Sequence, residues 1–410
     1  MFLLANLLKG FVQRGRLKLI DANGKTHEFG NDGADEEAKP VTLRLHDRAL
    51  HRKLFLNPEL TAAEAYMDGT LTFEDGSAIY DLLYLFSINR PGLGAHPVQS
   101  LQRRLWRAAR RRHQANDVDR AKSQARHHYD ISDELYRLFL DEDLHYSCAF
   151  FRSPDDSLET AQSAKLTRAV AKLALEPGMR VCEIGGGWGA FAIALAKAGA
   201  DVTSINVSPE RIRVAEQRVR DAGVGDRVRF VQQDYREVDG SFDRVVSVGM
   251  MEHVGIGHID EYFAKIRGLL APDGFAFVHS IGRMTQPGTT GPFIRKYIFP
   301  GGYVPALSEV FAAAERQGIW VADMEVLRLH YYYTIRHWRR NFAARRDEAA
   351  ALYDERFCRM WEFYLVAVEL GFLNGSNMVF QLLLSTQRDA VPIDRAYMFE
   401  AEQRALTAAG

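Results

Sequence analysis

Val181-Cys182-Glu183-Ile184-Gly185-Gly186-Gly187-Trp188-Gly189 ends a short apolar run and opens the helical stretch Ala190–Lys197, and its reading decides the fold. An apolar strand that breaks into glycines and restarts as a helix is a tight βα turn. The missing side chains let a ligand approach the backbone beside a helix N-terminus. Outward from that turn the alternation continues. Arg180–Ile184, Val202–Ile205, Val228–Gln232, Arg244–Val248 and Phe275–Val278 are short apolar runs, each followed by a helical stretch. Strands alternating with helices predict a parallel sheet covered on both faces. Trp320–Leu329 and Met378–Ser385 are further runs that finish such a sheet at its edge. The expected fold is therefore α/β, a doubly wound, mostly parallel seven-stranded sheet.

Composition narrows the class. The 410 residues carry 52 Lys+Arg against 53 Asp+Glu, a net charge of −1, with 47% hydrophobic and 26% charged residues. That balance belongs to ordinary globular proteins and excludes wholesale disorder, while about 150 residues per domain allows two or three domains. Thirty-two Gly and thirteen Pro exclude collagen-like and low-complexity readings. No apolar run approaches the ~18 residues of a membrane span. The apolar stretch Met1–Leu8 ends at Lys9 without a signal-peptide cleavage pattern. Cys148, Cys182 and Cys358 are an odd and sparse set, which suits a reducing compartment. The expected location is cytoplasmic, in peripheral contact with the inner face of the membrane.

Residues 1–90 read as a small separate α+β unit. Leu17, Leu19 and Phe29 alternate with polar residues around Asn23-Gly24, a hairpin signal, and residues 47–67 are helical pieces interrupted at Asn57-Pro58. Arg90-Pro91-Gly92-Leu93-Gly94 is expected to stop the helix begun around Tyr80–Ser87. Beyond it, Arg103 to Arg112 (RRLWRAARRR) holds six arginines and no acid. This is either a solvated face or linker, or, with Trp106, Leu101 and Leu105 among the arginines, a helix resting on anionic headgroups. Nucleic acid ranks low, since no recognised binding motif accompanies the patch. The division that follows is a lipid- or membrane-associated domain over 1–90, a basic linker over 91–122, and a catalytic domain over 123–410. That last domain starts with a helix over 121–140 and carries a helical lid insert around 331–372, which contains the long helical stretch Trp338–Phe372.

The site is read from the strand ends. The loop spacing E-x-G-x-G-x-G differs from the dinucleotide pattern. Glu183, two residues before Gly185, makes the loop resemble that of S-adenosylmethionine (SAM) methyltransferases; the plain alternative is a tight turn with no ligand. The second strand ends in Asn206, placed to meet a ribose, where the usual acid is missing; Ser208 and Pro209 first explain themselves as a helix start. The third ends in Gln233-Asp234-Tyr235, with Asp234 suited to an adenine amine and Tyr235 to flanking the ring. Open α/β sheets bind ligands beyond the carboxyl ends of their strands, so these positions point to SAM. The fourth strand runs into Met250-Met251-Glu252-His253-Val254-Gly255 and the fifth ends in Val278-His279-Ser280-Ile281-Gly282. Glu252 and His279 thus face the same crevice, although singly each is more often an exposed carboxylate or a satisfied strand-end histidine.

Together with His128-Tyr129-Asp130, Tyr146-Ser147-Cys148-Ala149-Phe150-Phe151, Gln233–Arg236 and Lys296-Tyr297-Ile298-Phe299-Pro300-Gly301-Gly302, these segments follow a known order. From about His128 to the C-terminus the chain resembles the cyclopropane-fatty-acyl-phospholipid synthases and the related mycolic-acid cyclopropane synthases. Residues 41–69 resemble the N-terminal lipid-associated segment of the phospholipid-acting branch. The resemblance implies a class I, Rossmann-like SAM methyltransferase acting on the cis double bond of unsaturated phospholipid acyl chains. It implies cyclopropane formation through a carbocation, with bicarbonate as the bound base and no metal. Cys148 (backbone), Glu252, His279, Ile281 (backbone) and Tyr331 would hold that bicarbonate. Tyr146, Ser147, Glu183, Gly185, Gly187, Asn206, Asp234 and Tyr235 would hold SAM. Tyr331–Tyr333 are consecutive, so the choice among them rests on spacing to Trp338, and Cys148 also reads as a small buried residue.

The chain departs from the family at Gly186, where cysteine is common, at Met251 (frequently Phe), at Asp133 (usually Asn) and at Val368 (often Cys). Pro292–Tyr303 and Trp338–Phe372 are apolar enough to receive an acyl chain, although core packing explains any one of their residues. A methyl-branched product is the alternative outcome of the same chemistry. A small-molecule O- or N-methyltransferase would not need Cys148, His279 and Tyr331 together. A membrane-associated lipid-binding protein without catalysis would carry broken motifs, and these are intact. Acyl length, double-bond position and headgroup are not legible, and a homodimer stays open.

Overall fold

The computed structural model describes residues 1–31, 38–95, 100 and 131–409. The arginine run 103–112, the His128–Asp130 motif and the first half of the helix expected over 121–140 lie outside the described residues, as does most of the proposed linker. The described remainder of that helix is Asp133–Phe139, whose N-cap Ser132 accepts a hydrogen bond from the Leu135 amide. The described parts of Met1–Arg110, Thr289–Pro300 and Ile335–Ser376 group as one compact unit. Those of Arg111–Gly288, Gly301–Thr334 and Asn377–Gly410 form a second.

The first unit contains a four-stranded sheet of β1 (Gly15–Ile20), β2 (Thr26–Asn31), β3 (Val41–Leu45) and β4 (Leu71–Glu74) in the order β2-β1-β3-β4. The expected hairpin is there: Leu17 pairs with Phe29 across β1 and β2, and Gly24 takes the left-handed conformation that the turn needs. Leu17, Leu19 and Phe29 pack with Leu4, Leu7 and Phe11 of the N-terminal helix Phe2–Phe11. Asn57-Pro58 separates helices Leu50–Leu56 and Pro58–Met67, with Pro58 in the first turn of the second.

Two expectations are corrected here. The helix Ile79–Ala95 does not stop at Arg90-Pro91; it continues through them. An interior proline removes one helical hydrogen bond, and tertiary anchoring outweighs that loss. Leu85 is buried in the core, and Asn89 accepts from the Gln13 and Arg14 amides while donating to the Arg14 carbonyl. The helical stretch expected over 338–372 begins earlier, at His330, and consists of three helices: His330–Ala344, Arg346–Leu352 and Glu355–Leu373. Asp354 starts the last by accepting from the Phe357 amide at 2.7 Å. Within this unit Phe293 meets Phe363 edge-on, and the fully buried Glu369 is paired with Arg339.

The second unit is built on seven strands: β5 (Arg180–Ile184), β6 (Asp201–Asn206), β7 (Val228–Gln232), β8 (Phe242–Val248), β9 (Leu270–Arg283), β10 (Trp320–Leu327) and β11 (Asn377–Ser385). Their order is β10-β11-β9-β8-β5-β6-β7. β5 to β9 are mutually parallel, and β11 lies antiparallel between β9 and β10 at the edge. The sheet is therefore the doubly wound, mostly parallel one expected, with apolar clusters on both faces. Strand order reverses between β5 and β8, which is where such sheets open a crevice beyond their carboxyl ends.

Removing one partner of a buried ion pair costs about 3–5 kcal/mol. Arg339→Leu should therefore lower unfolding stability by about that amount, read as a shift of the urea midpoint at unchanged slope.

Candidate active site

The glycine loop after β5 is shaped by contacts that each need a small residue. Gly185, Gly187 and Gly189 have positive φ, and the Gly185 and Gly186 amides both donate to the Ile205 carbonyl at the end of β6. Glu183 is buried below the loop and accepts from Ser204 Oγ at 2.7 Å. Burial pushes its pKa up to about 7, against the lowering effect of that hydroxyl. A Cβ on Gly186 would lie 1.9 Å from Ser204 Oγ and 2.8 Å from Glu183 Oε2. The departure from the family cysteine thus has a physical cause: the Ser204 hydroxyl occupies the space that a side chain at 186 would need.

The remaining cofactor candidates are placed as follows. Asn206 Nδ2 donates to the Gly187 carbonyl at 3.2 Å and its Oδ1 accepts from the Ser208 amide, so this side chain ties loop to strand end. Asp234 takes both Nε and the second guanidinium nitrogen of Arg236, at 2.8 and 2.9 Å. Tyr235 packs into the core edge-on to Tyr262, its buried hydroxyl without a partner among the described residues. Tyr146 lies edge-on to Tyr136, which in turn meets Trp188 of the glycine loop. The Trp188 indole donates to Asp133 Oδ1 at 3.1 Å, an acceptor role that Asp shares with the family's Asn. Ser147 Oγ accepts from the buried ammonium of Lys165 at 3.1 Å; burial lowers the pKa of that amine to about 8.

Glu252, His279 and Ile281 come together at the ends of β8 and β9. Val248 registers against His279, the Gly249 amide donates to the His279 carbonyl, and Glu252 follows in the short helix Met251–Val254. The Ile281 amide donates to Glu252 Oε1 at 2.6 Å, while Oε2 is buried with no partner among the described residues. Burial raises the Glu252 pKa to about 7, opposed by the Ile281 bond. His279 is pushed the other way, to about 3, by burial and then by the cations Lys165 and Lys172. An acid poised near neutrality beside a histidine kept uncharged is the kind of divergence that marks reacting sites. Met251 itself is buried in the core cluster under this rim.

Cys148 and Tyr331 are held by a separate fastening. The Ala149 amide donates to Thr334 Oγ1 and the Phe151 amide to His330 Nδ1, both at 3.0 Å, binding the Cys148–Phe151 segment to the turn that carries Tyr331. The Cys148 thiol donates to the Ala149 carbonyl, and burial drives its pKa far up, so the sulfur is unreactive. Tyr331 is buried where Tyr332 and Tyr333 are half-buried. Sequence reasoning missed Lys165, Ser204, Arg236 and Gln381. Arg236 sat inside a quoted motif, but the others gain meaning only through partners on distant strands or helices.

A glycine loop at the switch point of a seven-stranded sheet of this order, with an acid and a histidine at the next two strand ends, defines a SAM-dependent methyltransferase of class I. A cyclopropane synthase from Mycobacterium tuberculosis superposes with a TM-score of 0.61 at 30% identity, covering 64% of this chain and 97% of that one. A mycolic acid cyclopropane synthase complexed with SAH and CTAB gives 0.60 at 31% identity, over 64% and 97%. The family model for mycolic acid cyclopropane synthetase matches residues 116–382, and the chain belongs to that family. The cyclopropane-fatty-acyl-phospholipid synthase of Escherichia coli K12 is 32% identical over 347 residues, 84% of this chain and 88% of that enzyme. The tuberculostearic acid methyltransferase of Mycobacterium tuberculosis is 41% identical over 283 residues, 65% of this chain and 66% of the relative.

The crowding at Gly186 makes a measurable coupling. Gly186→Ala should destabilise by about 1–3 kcal/mol through overpacking. Adding Ser204→Gly should recover at least half of that loss, so a double-mutant cycle in urea should show non-additivity. Simple additivity would mean that the two positions do not compete for one space.

Proposed function

We propose that this chain transfers a methylene group from SAM to the cis double bond of unsaturated phospholipid acyl chains, closing a cyclopropane ring. The observation that supports the reading best is Glu252, buried at the rim with one oxygen held by the Ile281 amide and the other without a hydrogen-bond partner among the described residues. An unpartnered buried acceptor is costly and fits a bound group that brings its own donor. SAM when bound supplies an electrophilic methyl, and bicarbonate supplies a proton acceptor that is a poor trap for a cation. In the overall change the alkene π pair forms the new bond to carbon, leaving a carbocation. The electrons of a C–H bond of the added methyl then close the ring as its proton departs.

The residues divide that work. Glu252, through Oε2, and His279 would hold the bicarbonate and orient it for general-base work. Tyr331 adds a hydroxyl and a ring face, and a cation over an aromatic face gains ~0.5–2 kcal/mol. The Cys148 backbone completes the cradle. Glu183, Asn206 and the glycine loop, with Tyr146, Ser147, Asp234 and Tyr235, receive SAM. The apolar segments Pro292–Tyr303 and Trp338–Phe372 take the acyl chain. Peripheral binding to an anionic membrane surface on the cytoplasmic side is supported by exposed Phe2 and Leu3 and by Lys9 on the N-terminal helix. No described helix is long and apolar enough to cross a membrane.

A second reading keeps everything except the product. Relatives at 40% and 41% identity are a probable fatty acid methyltransferase of Pseudomonas putida and the tuberculostearic acid methyltransferase. Methyl branching would follow if the cation loses a different proton or is reduced.

Expression in cells that make unsaturated lipids, followed by fatty-acid analysis, separates the two. Gain of one CH2 with loss of the alkene indicates ring closure; a retained alkene or a saturated branched chain indicates the second reading. Glu252→Gln should keep SAM binding and largely abolish product, and wild-type turnover in that variant would remove the site assignment. A carboxyl with a raised pKa is neutral below it and accepts only above it. With Glu252 at about 7, kcat at saturating SAM and lipid should fall about tenfold per pH unit on the acid side.

A further inference from the structure

Resting on the reaction proposed above, we propose that Gln381 is a positioning residue that locks the His279 imidazole in the tautomer protonated at Nε2. The ring then meets the bound anion as a hydrogen-bond donor and never as the base. Gln381 and His279 face each other across the register of β11 and β9. Gln381 Nε2 lies 3.0 Å from His279 Nδ1, and Gln381 Oε1 lies 2.5 Å from Lys172 Nζ. Which end of an amide is oxygen is ordinarily a matter of assignment. Here the lysine decides it. Lys172 Nζ also donates to Glu325 Oε2, so it faces two oxygen acceptors and must give a hydrogen to each.

The remaining steps are obligatory. With its oxygen turned to Lys172, the Gln381 amide can only donate toward His279. Nδ1 must therefore accept, and a neutral imidazole then carries its proton on Nε2. Among the described residues Nε2 has no acceptor, which leaves its N–H for the group that Glu252 holds. Burial, and then the cations Lys165 and Lys172, keep the imidazole neutral. The lock is braced from behind. Arg168 grips Glu325 through Nε and a second nitrogen at 3.1 and 2.6 Å and holds Glu402 with the third. Although burial opposes it, Arg168 and Lys172 drive the Glu325 pKa down to about 2, so the anchor stays ionised.

With this tautomer the two strand ends offer one donor, His279 Nε2–H, and one acceptor, Glu252 Oε2, to a group bound between them. A hydrogen-carbonate anion offers the matching set, an oxygen that accepts and a hydroxyl that donates. Reversing the tautomer would place two acceptors there and expel it.

Imidazole 15N spectra of the labelled full-length protein, recorded without substrate across about pH 6 to 8, read the tautomer directly. The wild type should show a protonated Nε2 and an unprotonated Nδ1 throughout. Gln381→Glu keeps an oxygen for Lys172 but replaces the donor by an acceptor. Its spectrum should show Nδ1 protonated, with kcat lower by about 10–100-fold, the usual effect of losing a supporting partner, and the SAM dissociation constant within about twofold. Gln381→Asn, which retracts the amide, should lose kcat without gaining the Nδ1–H signal. A wild-type ring protonated at Nδ1 overturns the inference while leaving the Glu252 reading intact. So does a Gln381→Glu protein with the correct reversed spectrum and undiminished kcat. Loss of product in Glu252→Gln alongside either result keeps the two failures apart.

Discussion

A carboxylate buried with one oxygen unpaired is a state that a protein must hold against its own desolvation, and the second unit is arranged around holding Glu252 in it. Exposing that group to water would relieve it by several kcal/mol. What prevents this is backbone, not side chains. The Ile281 amide fixes Oε1, the Tyr303 amide takes the Glu252 carbonyl, and the Gly249 amide closes β8 onto β9 at His279. Each of these bonds depends on the parallel register of the two strands. A one-residue slip would turn His279 and Ile281 to the opposite face of the sheet. The long β9, paired with β8 on one side and β11 on the other, makes that slip expensive.

The same economy of backbone contacts explains the glycine loop. Gly186 looks like a lost cysteine when the loop is considered by itself. Against β6 it has a local cause, because the serine hydroxyl at 204 fills the space and hydrogen-bonds the acid at 183. Asp133 is a parallel case, since the Trp188 indole needs an acceptor and is indifferent to whether a carboxylate or an amide provides it. Departures of this kind alter composition while conserving donor, acceptor and volume.

This contrast sets what could be read from the chain alone. The inner strands of the parallel sheet were legible because burial on both faces makes them short continuous apolar runs, and β5 falls on the expected boundaries. The placement of Glu252 and His279 at the ends of β8 and β9 was legible because those positions follow directly from the strand boundaries. The helix through Pro91 was not, since its anchoring by Asn89 comes from residues 13 and 14, seventy-odd positions away. Nor was the grouping of 289–300 and 335–376 with the N-terminal residues, which no local composition announces. Gln381 was the hardest: an ordinary polar residue in an apolar edge run acquires a role only when an antiparallel strand sets it opposite residue 279.

That last placement bears on why the proposed chemistry would call for a small inorganic base. A histidine accepting at Nδ1 and protonated at Nε2 has no free lone pair with which to remove a proton from a new methyl group. Glu252 has one, but a carboxylate set directly against a carbocation collapses onto it as an ester, ending the reaction with the enzyme alkylated. Pinning Oε1 with an amide and aiming Oε2 at a hydroxyl, as the Ile281 bond does, turns Glu252 from a nucleophile into a holder. A resonance-stabilised oxyanion held by Glu252 and the His279 N–H would supply a proton acceptor too weakly nucleophilic to persist as an adduct. On this reasoning the depressed histidine, the half-satisfied glutamate and the β11 glutamine would be one device for keeping the protein's own side chains from reacting with the cation.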